Sequence, residues 1–116
     1  MVDNNNKFVK LSKKVINKRK LNNKIKACYS EARKYPLKEF DTIIISGCCF
    51  PKIKVIEHVL KNADPQSRII IRDSYLDIYS IVGTLNTNNN IKIVGKIKSS
   101  FLNASKWNSY LLIKNN

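Results

Sequence analysis

Residues 42–49 read TIIISGCC, in which three consecutive isoleucines follow a β-branched threonine. A strand half-buried in a sheet alternates apolar and polar positions. An unbroken β-branched run instead suits a strand covered on both faces, as in the centre of a parallel sheet. The next residues continue in the matching order. Pro51 suits a first helical turn, and Ile53, Ile56, Val59 and Leu60 make one apolar stripe over a helix predicted at 51–62. Asp64 and Pro65 form a turn, and 68–71 (RIII) gives a second buried strand. Strand, helix and strand in that order make a βαβ unit, which is right-handed in nearly all known cases. Such units need helices packed over the sheet, so the expected architecture is a three-layer α/β sandwich.

The flanking segments extend this pattern. Helical spacing of Phe8, Leu11, Val15 and Ile16, with lysines on the other face, predicts a helix over 6–20. Asn4 to Asn6 can cap its start, and Asn22 and Asn23 suit its left-handed exit. A short strand is expected at 25–29, and Pro36 breaks the chain before the next element. A weaker helix is expected at 75–82, with Leu76 and Tyr79 on one side, then a polar loop at 86–90. Strands at 91–97 and 109–113 have no clear helix between them, so they are expected to pair antiparallel and finish an otherwise parallel sheet. The length of 116 residues suits a single domain over 1–116.

The net charge of +14 admits phosphate binding. Yet the positive charge is mostly lysine, accompanied by many asparagines and isoleucines. All three have A/T-rich codons, so codon bias yields the same pattern. Arginine, which makes bidentate phosphate contacts, occurs only four times. A solvated basic surface is therefore expected ahead of a dedicated nucleic-acid site. Cys28, Cys48 and Cys49 lack disulfide-scaffold and zinc-site spacing, so reduced thiols and no bound metal are expected. No apolar run is long enough to span a bilayer, and the N-terminus has no signal-peptide segment. A cytoplasmic protein without a membrane partner is expected.

Ligands of such sheets bind at the carboxyl ends of the strands. Four such ends are legible: Val2-Asp3, Ser30-Glu31-Ala32, Ser46-Gly47-Cys48-Cys49 and Arg72-Asp73-Ser74. All are polar or small, as a ligand-facing rim requires, although loops facing water are polar for that reason alone.

These residues also carry a resemblance. VDNNNKFVKLSKKVI resembles a strand end and following helix of S-adenosylmethionine-dependent methyltransferases, YSEA their adenine-edge loop, and FDTIIISGCCFP their fourth strand. KVIEHVLKNADPQSRIIIRDSYLDIY and WNSYLLIKN are similar to the C-terminal part of the nicotianamine synthase family. The resemblance implies a partial Rossmann-like methyltransferase fold lacking the first strand and its glycine-rich loop. The only glycines are Gly47, Gly83 and Gly95, and no GxGxG pattern occurs. It implies S-adenosylmethionine as cofactor and substrate. Asp3 would accept from the ribose hydroxyls, as an acceptor-only carboxylate can, and Glu31, beside Ala32, from the adenine amino group. Ser46 and Gly47 would lie near the methionine part. Arg72 would pair with a substrate carboxylate and Tyr79 line the pocket.

The implied reaction is aminocarboxypropyl transfer to an amine, with methylthioadenosine leaving. No catalytic residue is assigned within the chain, and His58 is read as a surface or interface residue. The implied partners are a small-molecule substrate and an absent N-terminal half or oligomer partner, without which the fragment would be inactive. Two other readings stay open. One is a fragment of another S-adenosylmethionine-dependent methyltransferase. The other is a non-enzymatic basic domain binding nucleic acid or protein.

Overall fold

The computed structural model describes residues 1–46, 49, 51–73, 78–85, 91–98 and 108–114, with the side chains of residues 73 and 80 outside the description. Gly47, Cys48, Leu76 and the polar stretch 86–90 lie outside the described residues. The chain forms two compact units, Met1–Pro36 and Leu37–Asn116.

In the first unit, β1 (Val2–Asp3) pairs in parallel with β2 (Cys28–Tyr29), Asp3 opposite Tyr29. The strand expected at 25–29 is thus reduced to its last two residues. The Ile25 N–H is instead bonded back to the Leu21 carbonyl, 2.9 Å away. Between the strands runs α1 (Asn6–Lys18). Asn5 caps it, its side-chain oxygen accepting from the N–H groups of Lys7 at 3.0 Å and Phe8 at 3.4 Å. Asn5→Ala should lower the stability of this unit by about 1 kcal/mol, read as the helical signal lost in thermal melts.

The helix exit differs from expectation. Lys20, not Asn22 or Asn23, takes the left-handed conformation (φ 55°). The Lys20 N–H reaches Asn17 O and the Leu21 N–H reaches Ile16 O, each at 3.0 Å, which is a Schellman closure. The buried stripe also differs. Val9 is buried and Ile16 half-buried, whereas Phe8, Leu11 and Val15 are exposed. Helical periodicity locates an apolar sector, but packing buries only one edge of it.

The second unit contains β3 (Thr42–Ser46), α2 (Lys52–Asn62), β4 (Arg68–Asp73), α3 (Ile78–Leu85), β5 (Ile91–Lys98) and β6 (Asn108–Lys114). They form a mixed α/β unit whose sheet runs β3-β4-β6-β5. β3 and β4 are parallel, and β6 is antiparallel to both β4 and β5. The last strand therefore inserts between β4 and β5. Composition explains the insertion. β6 brings Tyr110 and Leu112 into the core, while β5 carries Lys92, Lys96 and Lys98 and a bulge at Val94, between Ile93 and Gly95. Lysines and bulges are what an exposed edge tolerates.

Register puts Ile43, Ile45, Ile69, Ile71, Tyr110 and Leu112 on one sheet face. Both described helices of the unit lie on that face. Lys114, in the same alternation as Tyr110 and Leu112, donates to the α2 carbonyl of Lys61 at 3.3 Å and to Ala63 O at 3.0 Å. It thereby places a cation at the helix C-terminus. From α3, the Tyr79 ring meets Tyr110 edge-on at 6.2 Å. The helices bring Val55, Ile56, Val59, Leu60, Ile78 and Val82 into this core. Ile53, expected in the α2 stripe, is exposed and Val55 is buried in its stead, and Pro51 sits at the N-cap.

The turn at Asp64 and Pro65 closes through Ser67 N–H to Asp64 O at 3.1 Å, with Gln66 at φ 71°. This is type II geometry with proline at its usual place. Buried Ser67 is satisfied by donating to Phe40 O at 2.9 Å. One expectation about β3 fails. It is buried on one face only, since Ile44 on the opposite face is 69% exposed.

Candidate functional site

In the first unit the parallel pairing of β1 and β2 brings two carboxylates to one end of the strands. Asp3 ends β1, and its backbone carbonyl accepts from Ser30 N at 3.1 Å, directly before Glu31. Asp3 Oδ1 accepts from Asn5 N at 2.7 Å, which turns the chain into the α1 cap. That contact uses one oxygen and leaves Oδ2 to accept from a ligand hydroxyl.

Glu31 is more committed. It is ion-paired with Arg33 and, at 3.5 Å, with Lys34 across the short 3₁₀ turn Ala32–Lys34. Desolvation in this partly covered position opposes ionisation. The Arg33 hydrogen bond and charge, helped by Lys34, outweigh it and hold the carboxyl below the usual glutamate range. Its NMR titration midpoint should therefore lie below the ordinary value of about 4.3. A depressed folded value means that the stabilising contribution is present above the unfolded value. It is lost as pH falls through the folded one, and Glu31→Gln should remove that acid-side dependence. For an adenine amino group to reach Glu31, the carboxylate would have to share its oxygens with two cations.

One contact near this rim carries no motif. The Tyr35 hydroxyl donates to the Cys28 sulfur at 3.9 Å, and that hydrogen bond, with the negative charge of a Cys28 thiolate, raises the tyrosine pKa. Only the fold of the 29–35 loop brings them together, so residue spacing does not show it.

In the second unit Ser46 and Arg72 are register partners at the carboxyl ends of β3 and β4, with Ser109 of β6 next in the row. Alternation places this row on the face opposite the helices. Tyr79 belongs to the helix side, packed on Tyr110, whose ring also takes Lys96 Nζ at 5.6 Å from its centroid. The fold therefore brings Ser46 and Arg72 together, while the sheet separates the Arg72 row from Tyr79. Gly47, expected beside Ser46, lies outside the described residues. His58, on α2, is engaged by Asn62 of the same helix, Nδ2 to Nδ1, at 3.1 Å. Among the described residues no three His, Cys, Asp or Glu side chains cluster to hold a metal, and no helix is long and apolar enough to cross a membrane.

No family model and no curated protein matches the chain. Solved structures do. A variant of the nicotianamine synthase MtNAS in complex with S-adenosylmethionine matches with a TM-score of 0.72 at 20% identity, over 99% of this chain and 44% of that one. MtNAS in complex with MTA and tNA matches at 0.70 and 21%, over 99% and 43%. The ribosomal protein L11 methylase from Lactobacillus delbrueckii subsp. bulgaricus matches at 0.74 and 11%, over 99% and 56%. The chain thus has a Rossmann-like methyltransferase fold, parallel at β3 and β4 with an antiparallel edge. At these identities the likeness is one of fold. The chain spans less than half the length of the MtNAS chains it matches.

Proposed function

We propose that this chain is the cofactor-side part of an S-adenosylmethionine-dependent transferase of the nicotianamine synthase type. The observation that supports it most is the match over 99% of the chain to a synthase holding S-adenosylmethionine, together with an acceptor carboxylate, Asp3, at a parallel strand end. In this reading Asp3 Oδ2 accepts from a ribose hydroxyl, and Glu31 and Ala32 border the adenine. Within the second unit, Ser46 and Arg72 stand side by side at the strand ends, where Arg72 pairs with a substrate carboxylate. An amine attacks the methylene beside the sulfonium, the carbon–sulfur bond breaks, and methylthioadenosine leaves with the electron pair. Binding by this chain alone is weak, because no glycine-rich loop cradles the cofactor, and turnover needs residues beyond these 116.

S-adenosylmethionine titrated into the chain and followed by amide NMR should perturb Asp3 and Glu31. Asp3→Ala should weaken binding by about tenfold or more, because a hydrogen bond to a charged acceptor contributes about 1.5–3 kcal/mol. Absence of any perturbation at saturating cofactor would refute the reading. A second reading, methyl transfer, is favoured by the comparable likeness to the L11 methylase. Product analysis separates the two, since methylthioadenosine marks aminocarboxypropyl transfer and S-adenosylhomocysteine marks methyl transfer.

A further inference from the structure

The cations of this chain are not spread evenly. Met1–Pro36 carries eleven lysines and arginines against two acids, whereas Leu37–Asn116 carries eleven against six. Within the first unit, residues 7–26 hold nine of these cations and no acid, and all nine are exposed. An A/T-rich codon bias raises lysine throughout a chain, but it does not sort lysines away from acids. The segregation needs its own explanation.

Neither acid of the unit answers this charge. Glu31 is ion-paired with Arg33 and Lys34, outside the run, and Asp3 accepts from the Asn5 backbone. Among the described residues no carboxylate ion-pairs with a cation of 7–26. The pattern also works against the helix that carries it. α1 has no acid in its first turn, where Lys7 meets the positive end of the helix dipole. Lys10 and Lys14, and Lys14 and Lys18, are like-charge neighbours four residues apart. Local stability alone disfavours this arrangement, and departures of that kind concentrate where function demands them.

Successive residues turn by about 100° around a helix. Val9 and Ile16 face the interior of the unit, so Lys7, Lys14 and Lys18 fall on the opposite, outward side with Lys10 at their flank. The four span about 16 Å along the axis. An acceptor for this face must present a long row of anions, as the sugar-phosphate backbone of a duplex does. The outward side carries no aromatic ring on which an unstacked base could lie, which disfavours a single strand. A bilayer fits less well, because an interfacial helix turns its apolar stripe toward the lipid. Here the lysines lead, and of the exposed apolar residues of α1 only Leu11 stands among them, with Phe8 and Val15 to the side.

We propose that the outward side of α1 binds the phosphate backbone of duplex nucleic acid. Lys7, Lys10, Lys14 and Lys18 donate to phosphate oxygens as point charges, which holds a duplex without reading its bases.

The test titrates the full chain into fluorescein-labelled duplexes of about 20 base pairs, longer than the lysine row. Anisotropy reads binding. Engaging four phosphates should make the affinity fall about hundredfold between about 0.05 and about 0.2 M salt. Replacing all four lysines (Lys7→Gln, Lys10→Gln, Lys14→Gln and Lys18→Gln) should weaken binding by at least about tenfold at about 0.1 M salt and flatten the salt dependence. Circular dichroism should show the helix kept, since glutamine is a good helix former and the repulsion is gone. A control (Lys38→Gln, Lys61→Gln, Lys92→Gln and Lys98→Gln) removes the same charge from exposed positions of the second unit. It should leave binding within about twofold, because those positions touch no phosphate.

Loss in the α1 variant alone supports the proposal, and the tighter of duplex DNA and duplex RNA names the partner. No binding at about 0.05 M salt would overturn it. Equal loss in both variants would also overturn it, by reducing the effect to net charge. So would tighter binding, at equal concentration of anionic groups, to a single strand or to phosphatidylcholine vesicles containing phosphatidylserine. No arm contains S-adenosylmethionine, so failure here and failure of the cofactor titration are read separately.

Discussion

Ile45→Glu should abolish folding of the second unit, whereas Ile44→Glu, one residue away, should leave it folded. The two residues have the same side chain in the same strand, and alternation sends them to opposite faces. Ile45 is 5% exposed, beside Ile71 in the parallel register and beneath the helix layer. A glutamate there would meet apolar neighbours that offer a carboxylate neither charge nor hydrogen bond. It would be buried as an unpaired charge or take up a proton with a strongly raised pKa. Either route costs more than about 4 kcal/mol, against a total stability of about 5–15 kcal/mol for a domain.

At position 44 the carboxylate would stand in water, and the change should stay within about 1 kcal/mol, mostly lost strand preference. Circular dichroism and urea titration of both variants at neutral pH read this directly. Acidification should partly restore the Ile45→Glu variant by neutralising its carboxyl. Equal destabilisation of the two variants would show that both faces of β3 are covered.

The second large effect concerns the centre of the sheet. Ile69 of β4 and Leu112 of β6 are each 0% exposed and lie opposite one another in the antiparallel register. Truncating either to alanine removes about three methyl or methylene groups from a site with rigid neighbours on the sheet and a helix layer above. Ile69→Ala and Leu112→Ala should each cost about 2–5 kcal/mol in urea unfolding. Directly opposed residues share a contact. The double variant should therefore be less destabilised than the sum of the singles by roughly 0.5 kcal/mol or more. Ile70→Ala and Leu111→Ala, paired on the open face, should each cost clearly less, because part of that apolar surface is in water already. A strictly additive result for Ile69 and Leu112 would contradict the register.

Both contrasts turn on facts that residue order alone does not contain. The succession of strands and helices was legible because it is local chemistry. The β-branched run at 42–45, the apolar spacing at 53–60 and the turn at Asp64 and Pro65 each fix a short piece of backbone. The antiparallel finish was legible from two strands without a helix between them. So was the placing of Asp3, Glu31, Ser46 and Arg72 at strand ends, since a strand's carboxyl end is read wherever its boundary is read.

The tertiary structure decided what lies beside what. β6 rather than β5 became the inner strand, because Tyr110 and Leu112 gain from burial that Lys92, Lys96 and Lys98 would oppose. Val9 and Ile16, rather than Phe8, Leu11 and Val15, became the inner edge of α1. Arg33 and Lys34 took up the Glu31 carboxylate, and the sheet came between the Arg72 row and Tyr79. Most consequentially, TIIIS reads as a strand with two apolar faces, and that much is intrinsic to its side chains. Which face the described helices cover depends on where α2 and α3 pack. They pack on one side, leaving Ile44 as open apolar surface beside the Arg68 and Lys92 cations.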